Sequence, residues 1–305
     1  MIHSIKTFGK AMRVNQWIKN LVVFTAIIFS GKLFDLGVDW QGFLAFGIFC
    51  LLSSTSYLLN DIIDYPYDRK HPIKRYRPIA SGEISMQQAT FAVFLLTIIS
   101  LVLALLFSLP FFFLSLVFIL LHFFYSLYLK RFPTVDIFTI SFSFVLRAIG
   151  GEMVTGYHIP IWLLLTIFFI SLFMATVKRH AELLTHGRET RESLYRYQEH
   201  FLDFLTTTFA TDTIIAYATY TYVDKIPQVS TFFSPFTESL FAGFEARKWM
   251  MLTVPMVVYG IARYAQLLYE RVEGERPENI ITKDIPLVTT IFIWVCMVVL
   301  LIYIL

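Results

Sequence analysis

The stretch Asn60–Gly82, NDIIDYPYDRKHPIKRYRPIASG, sets Asp61, Asp64 and Asp68 beside Arg69, Lys70, Lys74, Arg75 and Arg77, directly after the apolar run Trp40–Leu59. Carboxylate and amide oxygens beside clustered cations suit a metal-bound polyphosphate: the acids hold the metal and the basic side chains hold the phosphates. Asn60, Asp64 and Asp68 recur every four residues, so a helix continuing past the apolar run places them along one face, drifting about 40° per step. Three oxygen donors on such a stripe can hold Mg²⁺, which takes one or two protein carboxylates and completes its octahedron with water and phosphate oxygens. Pro66 falls between Asp64 and Asp68 and interrupts the helical hydrogen bonding there, which puts Asn60 and Asp64 ahead of Asp68 as ligands. The plainer alternative is that these acids cap a helix end and pair with neighbouring cations on a solvated loop. Their density, spacing and place at the mouth of an apolar helix favour the metal and phosphate reading.

The continuation RKHPIKRYRPIASG alternates cations with prolines, a stiff extended loop whose guanidinium groups can fork onto phosphate. The same charges also serve to anchor the loop on the inner side of a membrane. A second polar cluster, KRHAELLTHGRETRESLYRY, holds Lys178, Arg179, Glu182, Arg188, Arg191 and Arg196, with Lys178 and Glu182 an i,i+4 pair and Arg179 on another face. The downstream arginines read equally well as an ordinary solvated helix. Between the clusters, Lys130 and Arg131 precede Pro133 and Asp136, where the acid is either a site carboxylate or the N-cap of the next helix. Arg147, in SFSFVLRAIGG, is a charge within an apolar run, where a paired or functional role is the default and a structural ion pair the alternative. Arg263, Tyr264, Glu275, Arg276, Glu278 and Asp284 form a late polar loop expected to pack near the site. His71, His122, His158, His180, His186 and His200 are scattered, and none reads as catalytic.

The elements that must carry these groups are membrane helices. Of 305 residues 57% are hydrophobic and only 15% charged, and apolar runs of about 20 residues, enough to cross a hydrocarbon core, recur along the whole chain. The expected fold is therefore all-α, a polytopic bundle of about nine transmembrane helices in one integral domain over residues 1–305. The spans are Leu21–Phe34, Trp40–Asn60, Met86–Ser108, Pro110–Tyr128, Ile137–Met153, Ile159–Val177, Phe201–Tyr222, Trp249–Tyr269 and Ile285–Leu305. With the N-terminus inside, most of the 25 Lys and Arg residues fall on the cytoplasmic side, and the outer segments hold Lys32, Lys225, Arg247 and Lys248. That puts the Asn60–Gly82 block in the cytoplasm. Residues 1–17 carry Ile2, Ile5, Phe8 and Met12 three or four apart, as in an amphipathic helix lying on the membrane surface. They lack the cleavage pattern of a signal peptide. Cys50 and Cys296 each sit in an apolar run and read as packing residues.

NDIIDYPYD is similar to the NDxxDxxxD signature of the UbiA superfamily of membrane prenyltransferases. More narrowly, the block through RPIASG, the early NQWIKN, YSLYLKR with its following Asp and LRAIGG, KRHAEL and the late RYAQLLYERVEGERPENI together resemble the superfamily's decaprenyl-phosphate phosphoribosyltransferases, in the same order over most of the chain. Superfamily members with an isoprenyl diphosphate donor usually carry a second aspartate-rich motif after the sixth span. Here that place holds Lys178, Arg179 and Glu182.

The resemblance implies a cell-membrane enzyme with its site on the cytoplasmic side, moving the 5-phosphoribosyl group from 5-phosphoribosyl 1-diphosphate (PRPP) to a polyprenyl phosphate. It implies Mg²⁺ as cofactor, on Asn60 and Asp64 with Asp68 or Asp61, these four forming the catalytic set. Lys74, Arg75 and Arg77 would hold the diphosphate, Lys178 and Arg179 the 5-phosphate, and Lys19, Lys130 or Arg131 the lipid phosphate, with Arg69, Arg147 and Glu182 completing the binding set. Expected partners are PRPP, the polyprenyl phosphate and the bilayer, with no nucleic acid; a homo-oligomer is left open. Two rivals stand beside this reading: a prenyltransferase using a prenyl diphosphate, and a transporter. A transporter would carry its polar groups near the midplane on broken helices, whereas here only Arg147 is intramembrane.

Overall fold

A computed structural model describes residues 2–186, 197–224, 227, 249–270 and 283–304. These residues are helical, with no strand among them. Helix α1 (Ile2–Ala11) leads into a 3-10 stretch (Val14–Phe24) and the short α2 (Thr25–Phe29). There follow α3 (Leu36–Ile63), α4 (Tyr65–Asp68), α5 (Met86–Phe107), α6 (Leu109–Leu127), α7 (Val135–Thr155), α8 (Ile161–His186), α9 (Glu199–Val223), α10 (Val254–Glu270) and α11 (Ile285–Tyr303).

Six of these, α3, α5, α6, α7, α8 and α11, are long and apolar enough to cross a membrane. Of the other three expected spans, Phe201–Tyr222 and Trp249–Tyr269 are helical and Leu21–Phe34 is helical only as far as Phe29, and none is both long and apolar enough. The first, Val14–Phe29, is short and largely 3-10. Helix α9 carries polar threonines and acids along its length, and α10 is only 17 residues long.

Two compact units divide the chain. The first comprises Met1–Thr25, Leu36–Lys130 and Leu146–Gly156; the second comprises Ala26–Asp35, Arg131–Val145 and Tyr157–Leu305. In the first, Phe49, Leu52, Phe111, Leu114, Phe118 and Leu146 make the core, with Phe49 edge-on to Phe111 and Phe118. A smaller cluster of Ala11, Leu58, Ile79, Ile84 and Ala89 receives Phe8 and Met12, so part of the apolar face of α1 is covered by protein. In the second unit, Phe173, Val177, Leu202, Phe209, Tyr264 and Leu287 pack together.

The 3-10 stretch has three residues per turn, so Trp17, Asn20 and Val23 form one ridge. Trp17 donates to Ser54, Asn20 donates to Cys50 and accepts from Ser53, and the Val23 carbonyl lies against Gly151. A Cβ at Gly151 would stand 1.9 Å from that oxygen, so α7 can approach this closely only with glycine there. Helix starts follow local chemistry. Ser85 and Gln88 form a reciprocal capping box on α5, Ser108 caps α6 ahead of Pro110, and Asp284 caps α11 ahead of Pro286.

Candidate active site

Helix α3 ends at Ile63 and α4 begins at Tyr65, so Pro66 sits in a first turn, where its missing N–H costs nothing. The backbone bond from Asp68 N–H to the Asp64 carbonyl (2.8 Å) survives, yet the side chains part company. Asn60 Nδ2 donates to Asp64 Oδ2 at 3.0 Å. Lys130 Nζ donates both to Asn60 Oδ1 (3.3 Å) and to Asp64 Oδ1. Asp68 instead accepts from Arg77 at 2.6 Å, and Arg77 Nη1 also reaches Asp61 Oδ1 at 3.1 Å. Burial raises the Asp68 carboxyl above its ordinary value despite Arg77 beside it.

The acidic block thus sorts into two pairs. Asn60 and Asp64 form a half-open pair, with 26% of the Asp64 side chain exposed. Asp61 and Asp68 are buried beneath arginines. Of the expected set, Asn60 and Asp64 bond to each other whereas Asp68 bonds to Arg77, and among the described residues no three His, Cys, Asp or Glu side chains are grouped so as to hold a metal. The Asn60–Asp64 pair fits Mg²⁺ by its chemistry: two hard oxygens, one from an amide and one from a carboxylate, converge on a single cationic group, the Lys130 ammonium.

The remaining basic residues of this unit divide by exposure. Arg69 rests on Tyr65 and Arg75 on Tyr76, both exposed at the surface. Lys74 is half-buried and acts electrostatically on Asp68, and Lys19 is half-buried on the 3-10 stretch. Arg147 is buried, with Nε donating to Asn20 (2.7 Å), Nη2 to Ser53 (3.2 Å), and its guanidinium 4.8 Å from the Phe118 ring centroid. It therefore ties α7 to the ridge of the 3-10 stretch. Arg13, which the sequence did not mark as a site residue, places Nη2 at 2.6 Å from Asp61 Oδ1. Nearby runs an apolar groove of about 710 Å³, lined by Trp17, Phe43, Phe46, Leu51, Leu103 and Phe107 among others.

In the second unit, Arg179 Nε donates to Asp136 Oδ2 at 2.8 Å, and its Nη1 donates to Glu182. Tyr197 Oη donates to Asp136 Oδ1 at 2.9 Å and accepts from the backbone N–H of Thr134, a residue with φ 68°. Burial, with Asp136 alongside, raises the Tyr197 hydroxyl above its ordinary value and keeps it a donor. Asp136 is fully buried in the first turn of α7, an ion-pair partner rather than an N-cap. Arg179 is 2% exposed, so its pair with Asp136 is enclosed, while Glu182 is partly open. Lys178 is half-buried and Arg131 exposed. Arg263 forks onto Asp284 at 2.9 and 3.2 Å, which orders the start of α11. Arg188, Arg191, Arg196, Glu275, Arg276 and Glu278 lie outside the described residues.

The chain is 32% identical over 302 residues to decaprenyl-phosphate phosphoribosyltransferase of Corynebacterium glutamicum, covering 97% of this chain and 86% of that protein. It is 33% identical over 294 residues to the enzyme of the same name from Mycolicibacterium smegmatis, covering 94% and 89%. Among solved structures, a UbiA homolog from Archaeoglobus fulgidus bound to GPP and Mg²⁺ superposes with a TM-score of 0.68 at 19% identity, covering 97% of this chain and 99% of that one. The UbiA prenyltransferase family profile matches residues 21–280. This multi-pass membrane chain belongs to the UbiA prenyltransferase family.

Proposed function

We propose that this chain transfers the 5-phosphoribosyl group from PRPP to a polyprenyl phosphate, releasing pyrophosphate. The observation that carries this reading is near-full-length kinship above 30% identity with enzymes named decaprenyl-phosphate phosphoribosyltransferase. The Asn60–Asp64 pair would hold Mg²⁺, which supplies charge neutralisation at a departing diphosphate. Arg77, anchored by Asp61 and Asp68, would donate to phosphate oxygens. Lys130, half-buried against Asn60 and Asp64, would bring a further cationic donor to a phosphate bound there.

The acceptor phosphate monoester has a second pKa of about 6 and is largely ionised at neutral pH, so the reaction needs no dedicated base. Attack at ribose C1 opposite the diphosphate inverts that centre. The C1–O bond to the diphosphate breaks, a bond to the lipid phosphate oxygen forms, and positive charge develops on the ribose as the diphosphate departs. The polyprenyl chain would lie along apolar helix faces, and the groove beside Trp17 and Phe46 offers such a surface. By the distribution of Lys and Arg, the site faces the cytoplasm of the cell membrane.

A donor competition tests the reading. Purified protein is offered ribose-labelled PRPP and a labelled prenyl diphosphate together, with a polyprenyl phosphate and Mg²⁺. Ribose label entering the lipid phase supports phosphoribosyl transfer. Consumption of the prenyl diphosphate alone would replace it with ordinary prenyl transfer.

A further inference from the structure

We infer that Arg13 is a phosphate-contacting residue of the first unit's site and that Asp61 is the carboxylate that positions it. This rests on the reading of that site as one that binds a diphosphate. Arg13 joins α1 to the 3-10 stretch with φ 51° and ψ 51°, a left-handed conformation that a residue with a Cβ rarely adopts. A backbone held there by an arginine rather than a glycine or asparagine directs attention to what the side chain does. Its guanidinium lies 4.8 Å from the centroid of the Tyr57 ring and bonds to Asp61 at 2.6 Å. Tyr57 and Asp61 are four residues apart on α3, so one face of that helix supplies both the platform and the anchor.

Asp61 Oδ1 is shared. It accepts from Arg13 Nη2 and from Arg77 Nη1, while the Asp61 side chain itself is only 3% exposed. Both arginines remain open, at 29% for Arg13 and 26% for Arg77. Among the described residues, carboxylates engage one nitrogen of each guanidinium. Each group carries five N–H donors in a planar fork, so Nε and Nη1 of Arg13 and Nε and Nη2 of Arg77 have donors left for a ligand. The carboxylate is sealed while two guanidinium groups that share it stay partly open, which suits recognition of phosphate oxyanions by paired arginines. The oxyanion could belong to the donor's diphosphate or to the lipid phosphate, and the test separates the two.

Full-length protein in detergent is titrated with inorganic pyrophosphate in the presence of Mg²⁺, comparing the native chain with Arg13→Ala, Arg13→Lys and Asp61→Asn. Transfer kinetics are then run with donor and acceptor varied in turn. Loss of a charge-assisted contact predicts about tenfold or more weaker pyrophosphate binding for Arg13→Ala, with partial recovery in Arg13→Lys and an intermediate loss in Asp61→Asn. A tenfold rise confined to the KM for polyprenyl phosphate would support the contact and assign it to the lipid phosphate. Pyrophosphate affinity and both KM values within about twofold of native would overturn it. If Arg13→Ala does not fold, Arg13→Lys and Arg13→Gln carry the same comparison on folded protein, and a Lys variant no better than Gln overturns the proposal. Because pyrophosphate is common to ribosyl and prenyl donors, failure of the phosphoribosyl reading appears separately, as native protein that binds pyrophosphate but transfers no ribose.

Discussion

The acidic block of the first unit and the buried cluster of the second use the same side-chain types to different ends. In the first, Arg13, Arg77 and Lys130 meet Asp61, Asp68 and Asp64 with their cationic groups partly open. In the second, Arg179 meets Asp136 with almost no exposure of either, Glu182 joins from a partly open position, and Tyr197 occupies the remaining Asp136 oxygen. An ion pair sealed on every side has its hydrogen bonds satisfied internally and specifies packing; one left half-open keeps donors for a ligand. The difference lies in accessibility rather than in composition.

Removing one partner of the sealed cluster gives the largest change expected in stability. Arg179→Ala or Asp136→Ala strands a buried charge and should cost about 3–5 kcal/mol, read as a lowered unfolding midpoint in detergent. A fold that tolerates either change would erase the contrast between the two regions. In the open site the effect falls on activity instead. Lys130→Ala removes a charged donor to Asn60 and Asp64, worth about 1.5–3 kcal/mol, and should lower kcat/KM by about 10–100-fold. Its unfolding midpoint should stay close to native. Smallest is Tyr197→Phe, which deletes one hydroxyl from the sealed cluster and should destabilise by about 1–2 kcal/mol while leaving the KM for either substrate unchanged. A shift in KM would give this cluster a part in binding that its enclosure does not suggest.

Much of the open site is legible in the sequence because its spacing is local. Asn60 and Asp64 are four apart at the end of a long apolar run, and helical periodicity alone puts them together. The long apolar helices α3, α5, α6, α7, α8 and α11 are visible for the same reason. Contacts between distant segments are not. Nothing in the spacing shows that Arg13 reaches Asp61 across 48 residues or that Tyr197 reaches Asp136 across 61. Asp68 shows where local spacing stops being informative, as Pro66 between it and Asp64 indicates. It continues the four-residue period, but the new helix that begins at Tyr65 leaves its carboxylate with Arg77, beneath the surface. The partners of Arg179 are equally invisible to spacing: Asp136 lies 43 residues away in the chain.

The most direct test of the central claim is ribose transfer from labelled PRPP to a polyprenyl phosphate by native protein and by Asp64→Ala, each with Mg²⁺ and with EDTA. The account predicts label in the lipid phase only for native protein with Mg²⁺, and a loss of about a thousandfold or more in a folded Asp64→Ala variant. Transfer by Asp64→Ala at near-native rate, or transfer by native protein in EDTA, would contradict it.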